Sequence, residues 1–135
     1  GPALNIAIAQ RLARRVCRKC MKFEKPSSEE LNKIKKELKG VLKKIKQPKI
    51  SAEIKIPKIA GCPSCNFTGY KGRVGLFEAF LIDDEIEKFI FKNPSIAELK
   101  EKAVKNGMAT MKQDGFIKVL EGITTIEEVE RVTGE

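Results

Sequence analysis

The stretch C-R-K-C, residues 17–20, returns as C-P-S-C at residues 62–65, and these two pairs hold all four cysteines of the 135-residue chain. Each C-x-x-C can present two thiolates to one ion from a tight turn. Two pairs together supply the four thiolates that a structural zinc ion takes. The predicted ligands of one structural zinc ion per chain are Cys17, Cys20, Cys62 and Cys65.

The spacing leaves other uses of the cysteines open. The 41 residues between the pairs exceed the roughly 15–20 residues of a compact zinc ribbon. Iron–sulfur ligation, disulfide bonds and free thiols are the alternatives, although no secretory signal accompanies them. The side chains of Arg18, Lys19 and Lys22 are expected to lower the thiol pKa values and to offset the charge of a tetrathiolate centre. A metal ion bound by four protein thiolates has no open coordination position, so such a site stabilises the fold and catalyses no reaction.

Charge divides the chain into a basic and a mildly acidic part. Residues 1–60 carry 17 Lys/Arg and 5 Asp/Glu, a net +12, whereas residues 61–135 carry 10 and 13, a net −3.

The hydrophobic fraction of 41% is that of a globular protein, and no apolar run approaches the roughly 18 residues of a membrane-spanning helix. The chain has no histidine, the commonest general base, and no G-x-x-x-x-G-K-[ST] phosphate loop. We predict no catalytic residue and no cofactor-binding residue other than the metal ligands.

The predicted fold class is α+β, with a small, mainly helical domain, a short β-element, a tetracysteine zinc knuckle and a C-terminal helical bundle. Apolar residues every four positions predict a helix over 4–16. A second, lysine-rich helix is predicted over 28–46, and residues 50–59 read as a short extended segment. Alternation predicts a strand over 73–82. The predicted division is a zinc subdomain, 1–82, and a C-terminal helical subdomain, 83–135.

Capping patterns mark the predicted helix starts. A further helix, from Met111 to Glu121, is expected between the helices that start after Ser95 and after Thr125. We interpret the paired acidic residues at these starts as caps rather than as catalytic carboxylates. The patterns are Ser27-x-x-Glu30, Asp84-x-x-Glu87, Ser95-x-x-Glu98 and Thr125-x-x-Glu128.

Three blocks of the sequence carry a resemblance to a known family. AQRLARRVCRKC (9–20), GCPSCNFTGYKGRVGLFEAFLI (61–82) and GMATMKQDGFIKVLEGITTIEEVERVT (107–133) resemble, in order and approximate spacing, the C-terminal part of the type II secretion and type IV pilus assembly ATPases, the GspE/PilB family. The resemblance runs from about Asn5 to Thr133, and residues 24–58 are the least alike.

The resemblance implies a zinc-stabilised C-terminal module of a cytoplasmic, homohexameric motor ATPase peripheral to the inner membrane. The ATP and Mg²⁺ site would lie upstream, so this chain alone would not be an enzyme although its parent would be an ATPase. Residues 4–16 would be the end of the ATPase core, and Gly1-Pro2 is expected to be the remnant of a cleaved tag. The expected partners are the other subunits and the inner-membrane platform protein, with no nucleic acid.

The basic helix 30–46 is a candidate for contact with an acidic partner or an anionic membrane surface, and an ordinary solvated helix is the alternative. Two other functions are alternatives to the motor module. A free-standing, basic zinc-ribbon protein that binds nucleic acid fits the charge of the N-terminal half, but Phe23 is the only aromatic residue there. A C-x-x-C redox protein would require a thiol of lowered pKa and no bound zinc.

Overall fold

The computed structural model describes residues 5–41, 50–51 and 53–134. In this part of the chain it is a small α+β fold with four strands and five helices. The strands are β1 (Asn5–Val16), β2 (Lys22–Glu24), β3 (Ile56–Lys58) and β4 (Tyr70–Ile82). The helices are α1 (Ser28–Leu38), α2 (Asp84–Ile90), α3 (Ile96–Lys105), α4 (Met111–Leu120) and α5 (Ile126–Thr133).

The longest element is an antiparallel ribbon of β1 and β4, in register from Asn5↔Ile82 to Arg14↔Arg73. The predicted helix over 4–16 is therefore wrong for the described residues 5–16, while the predicted strand over 73–82 is confirmed and begins earlier, at Tyr70. An apolar residue at every fourth position also fits a strand, because four is a multiple of the strand period of two. Pairing with β4 decides between the two.

The lysine-rich helix α1 is shorter than predicted. Its capping box is confirmed, because the Ser27 side chain accepts from the Glu30 amide and the Glu30 side chain accepts from the Ser27 amide. The helix ends at Leu38, and the chain turns at Gly40, whose φ is +89°. The predicted helix is thus wrong at residues 39–41, and its last part, 42–46, lies outside the described residues.

A small two-stranded ribbon joins the two ends of residues 21–61, the segment between the cysteine pairs. This segment contains α1 and is called the α1 excursion below. β2 pairs antiparallel with β3, with Phe23 opposite Pro57. The extended segment predicted at 50–59 is confirmed at Ile56–Lys58. This short ribbon brings the two ends of the excursion together beside the cysteine turns.

The C-terminal helices do not show the predicted bundle. α2 packs with α3 and β4, whereas α4 packs with α5, β4 and α1, and α5 also packs on β1. The physical reason lies in α4, which buries residues on several sides, including Phe116 and Val119, and needs partners from both halves of the chain. The core therefore joins Ile34 and Leu76 to these helices.

The helix caps are confirmed with two corrections. Ser95 and Glu98 form a capping box, and α3 ends at Lys105, with Asn106 as its C-cap before Gly107. α2 is capped by Asp83, one residue before the predicted Asp84, because the Asp83 side chain accepts from the Ile86 amide. Thr125 caps α5 because its side chain accepts from the Glu128 amide at 3.1 Å, but the Glu128 carboxylate binds Arg14 and does not complete a capping box.

Among the described helices, none is long and apolar enough to cross a membrane.

The Glu128 carboxylate is the buried anchor between α5 and β1. It accepts from the Arg14 amide at 2.7 Å and from Arg14 Nε and Nη2 at 3.0 and 2.9 Å. Arg131 Nε and Nη2 add two bonds of 2.7 and 2.9 Å. Burial raises the pKa of Glu128, but the bonds from Arg131 and Arg14 outweigh it and lower the pKa to about 2.

Replacement of Glu128 by Gln should lower the free energy of unfolding by about 2 kcal/mol, because two guanidinium groups lose a buried counter-charge. Glu127→Gln is the matched control, since Glu127 is exposed on the same helix turn and should change stability by less than about 0.5 kcal/mol. Urea denaturation of the three proteins measures the difference. Equal unfolding free energies of the wild type and Glu128→Gln would contradict the stabilising role of the Glu128 carboxylate.

The Glu128 contribution should depend on pH. The pKa in the folded state, about 2, lies below the ordinary value of 4.5, so the stabilisation is complete above about pH 5 and is lost as the pH falls towards 2. The difference in unfolding free energy between the wild type and Glu128→Gln should therefore shrink over this interval. Denaturation at pH 6, 4 and 2.5 measures it, and a constant difference would disprove the assignment.

Gly115 in α4 is required by close packing rather than by backbone conformation. A Cβ at this position would lie 2.5 Å from Val129 Cγ1, so α4 and α5 approach through this glycine. In an open helix Ala would be favoured over Gly by about 1 kcal/mol. We expect Gly115→Ala to destabilise instead, by about 1–3 kcal/mol.

The same substitution made in a Val129→Ala background should be neutral or stabilising, because the clashing methyl groups are gone. Thermal denaturation of the four proteins of this cycle gives the coupling between the two residues. Stabilisation by Gly115→Ala alone would show that the helices are not in close contact here.

Candidate metal centre

The structure brings the four predicted cysteine sulfurs into one cluster. All four Sγ atoms lie within 4.8 Å of one another. Three pairs, Cys17–Cys62, Cys20–Cys65 and Cys62–Cys65, are each separated by 3.8 Å. A tetrahedron with metal–sulfur bonds of about 2.3 Å has edges of about 3.8 Å, whereas a disulfide requires about 2.05 Å. The donor set fits one tetrahedral ion.

The first cysteine pair follows directly from β1. The Cys17 amide donates to the Gly69 carbonyl at 2.9 Å, and the Met21 amide donates to the Cys17 carbonyl at 3.0 Å. The turn between Cys17 and Cys20 is thus closed on itself and tied to the residue before β4.

The second pair lies in a tight turn between β3 and β4. Pro63–Cys65 form one turn of 3₁₀ helix, and the Phe67 amide returns to the Cys62 carbonyl at 2.9 Å. Glycines permit this close path. Gly61 has a φ of +112°, and a Cβ there would meet the Phe67 carbonyl oxygen at 3.0 Å. Gly69 has a φ of +85°, and its Cβ would overlap the Ile59 side chain at 2.5 Å.

Backbone amides point at two of the sulfurs. The Gly61 amide donates to Cys20 Sγ, and the amides of Cys62 and Gly69 donate to Cys65 Sγ, each at 3.3 Å. Such donors stabilise thiolates. These backbone donors could not be predicted from the sequence, because the direction of an amide depends on the conformation of the turn and not on side-chain identity. The glycines that flank the second pair were the only available signal.

The thiol pKa values of Cys65 and Cys20 are displaced in opposite directions. Burial raises the pKa of Cys65, but the amides of Cys62 and Gly69 and the neighbouring thiols lower it to about 6. The Gly61 amide lowers the pKa of Cys20, but burial and the three other cysteines together raise it to about 11. The expectation from the sequence named the charges of Arg18, Lys19 and Lys22 as the cause of lowered thiol pKa values. Where a thiol pKa is lowered, the lowering comes instead from backbone amides and the neighbouring thiols.

A bound cation would remove this inequality, because a coordinating thiol loses its proton outright. The site joins the end of β1 to the turn before β4, and Cys17 and Cys65 are buried. Four protein sulfurs around one ion leave no position for a substrate. The arrangement can therefore hold the two turns together but is not built for metal-assisted catalysis.

The chain purified without added metal should carry one divalent ion, and Cys20→Ser should abolish tight binding and lower the melting temperature. Ser64→Ala is the matched control, because Ser64 lies inside the second turn and supplies no sulfur. Native mass spectrometry measures the stoichiometry, and substitution with Co²⁺ should produce the absorption bands of a tetrahedral thiolate site. A metal-free chain that is lighter by two or four hydrogens would indicate disulfides and contradict the site.

Comparison with known proteins identifies the family. The model of the type II/IV secretion system protein family matches residues 2–131. The chain is 39% identical over 130 residues to the type IV pilus assembly ATPase PilB of Thermus thermophilus, covering 94% of this chain and 13% of the relative. It is 35% identical over 128 residues to the type II secretion system ATPase E of Vibrio cholerae, covering 95% and 23%.

A further relative is the type IV pilus assembly ATPase PilB of Myxococcus xanthus, 34% identical over 127 residues, with coverage of 94% and 21%. The chain thus spans less than a quarter of the length of each of these curated relatives. The resemblance identified from the three sequence blocks is confirmed. The chain belongs to the type II/IV secretion ATPase family.

Proposed function

We propose that this chain is the zinc-stabilised C-terminal module of a hexameric motor ATPase that powers type IV pilus assembly or type II protein secretion. The observation that carries the proposal is the closed four-sulfur cluster in a chain whose relatives are named as pilus assembly and secretion ATPases. In this proposal Cys17, Cys20, Cys62 and Cys65 are the zinc ligands.

The size of the cluster supports a single ion. In a polynuclear iron–sulfur cluster the cysteines bind different irons, which spreads their sulfurs further than the 4.8 Å limit found here. Zinc is the ion that commonly takes four thiolates in a purely structural site. Elemental analysis of the purified chain separates zinc from a mononuclear iron.

The module would be non-catalytic on its own, with ATP and Mg²⁺ bound by another part of the parent protein. One face of the β1–β4 ribbon supports such a neighbour. Ile8 is 66% exposed and Leu81 53% exposed, and alternation in register places both on the same face. The other large apolar residues of this face are Ile6, Leu12 and Phe77. In the parent, residues 4–16 would be the end of the ATPase core, and the rest of that core would cover this face.

The proposed location is the cytoplasmic side of the inner membrane, where the module would transmit motion to the platform protein or dock on it. The exposed lysines of α1 are candidates for that contact. Lys35 and Lys36 are exposed, whereas Lys33 pairs with Glu130 at 3.3 Å. Reversing Lys36, Lys39 and Lys43 to Glu should weaken platform or vesicle binding without unfolding the chain. Unchanged binding would exclude this surface.

The function is tested in the full-length gene product. We expect the full-length protein to hydrolyse ATP and the 135-residue chain not to do so. Cys20→Ser in the full-length protein should remove zinc and abolish pilus assembly or secretion, whereas Ser64→Ala should preserve both. Normal pilus assembly or secretion by a full-length protein shown to be zinc-free would contradict the proposed role of the module.

A further inference from the structure

We propose that a basic notch beside the cysteine turns binds a phosphate group. The basic notch is an open cavity of about 230 Å³ at the start of β4. It is smaller than the roughly 300–1,000 Å³ of sites for drug-sized ligands, which suits a ligand group as small as a phosphate. The residues that line it are Arg14, Thr68, Tyr70, Lys71, Gly72 and Arg73. The site is distinct from the metal centre and does not rest on the proposed function.

The charge of the notch favours an anion. Its lining contains three cationic side chains and no carboxylate. The surrounding segments extend this pattern, since residues 10–23 contain six Lys/Arg, residues 54–77 contain four, and neither segment contains an Asp or Glu. Summed positive charge of this kind raises the local concentration of anions.

Arg73 is a cation of the notch that has no counter-charge among the residues that the structure describes. It lies directly opposite Arg14 in the register of the ribbon, and like charges at opposed positions are unfavourable. Arg14 is neutralised by Glu128. Within the residues that the structure describes, Arg73 forms no ion pair. A phosphate group beside Arg73 would supply the missing counter-charge and accept hydrogen bonds from the fork of its guanidinium.

The other side chains of the notch are already held in place. The Arg14 guanidinium lies over the Tyr70 ring, 4.2 Å from its centroid, and the Tyr70 hydroxyl is 2.7 Å from Thr125 Oγ1. Lys71 Nζ donates to Ser64 Oγ at 3.1 Å. Because these groups are ordered before any ligand arrives, binding would cost little side-chain entropy.

The test is a titration of the zinc-loaded chain with inorganic pyrophosphate, followed by amide chemical shifts at constant ionic strength. We expect saturable shifts at residues 68–73. Arg73→Gln should weaken the apparent affinity about tenfold. Lys105→Gln is the matched control, since it removes one exposed cation from the end of α3, and it should change the affinity by less than twofold. If Arg73→Gln fails to fold, Lys71→Gln replaces it.

A second arm separates a phosphate in solution from a lipid headgroup. Sedimentation with phosphatidylglycerol vesicles, compared with phosphatidylcholine vesicles, measures headgroup binding by the same three proteins. A loss specific to Arg73→Gln with pyrophosphate supports a soluble phosphate, and the same loss with vesicles alone supports a lipid. Equal losses in Arg73→Gln and Lys105→Gln, or no saturable binding in either arm, would overturn the proposal.

Discussion

The pairing of β1 with β4 is the constraint on which the rest of the molecule depends. The ribbon ends where Val16 meets Tyr70, so the first cysteine turn leaves one strand at the point where the second turn enters the other. The bond from the Cys17 amide to the Gly69 carbonyl continues this pairing by one further step. Two cysteine pairs far apart in sequence thereby meet, and a metal ion would reinforce a junction that the backbone already forms.

The same ribbon organises the C-terminal part. α4 and α5 pack on it and on each other through Gly115 and Val129, and the Glu128 carboxylate ties α5 to the Arg14 amide and side chain. The Thr124 hydroxyl adds a bond of 2.8 Å to the Arg14 carbonyl. Because β1 joins the cysteine turns at one end and contacts α5 along its edge, the metal centre and the last helix share one rigid support.

The features that the sequence predicted well depend on local chemistry. The capping boxes of α1 and α3 and the strand at 73–82 each require only residue type and short spacing. The cysteine cluster joins distant segments, but it could be predicted because the two C-x-x-C pairs hold every cysteine of the chain. The features it missed depend on distant partners. The segment 5–16 is a strand because β4 is beside it, and Glu128 is an anchor rather than a capping-box carboxylate because Arg14 lies within reach. The zinc identity and the subdomain boundary at 82/83 stay predictions.

The two closures at the base of the α1 excursion have a consequence for how the chain tolerates change in length. The β2–β3 ribbon and the junction of the cysteine turns hold the ends of the excursion together, while α1 itself is fixed in the core by Ile34 and Leu38. A change in chain length between Val41 and Ile50 would therefore leave both closures and the core contacts of Ile34 and Leu38 in place.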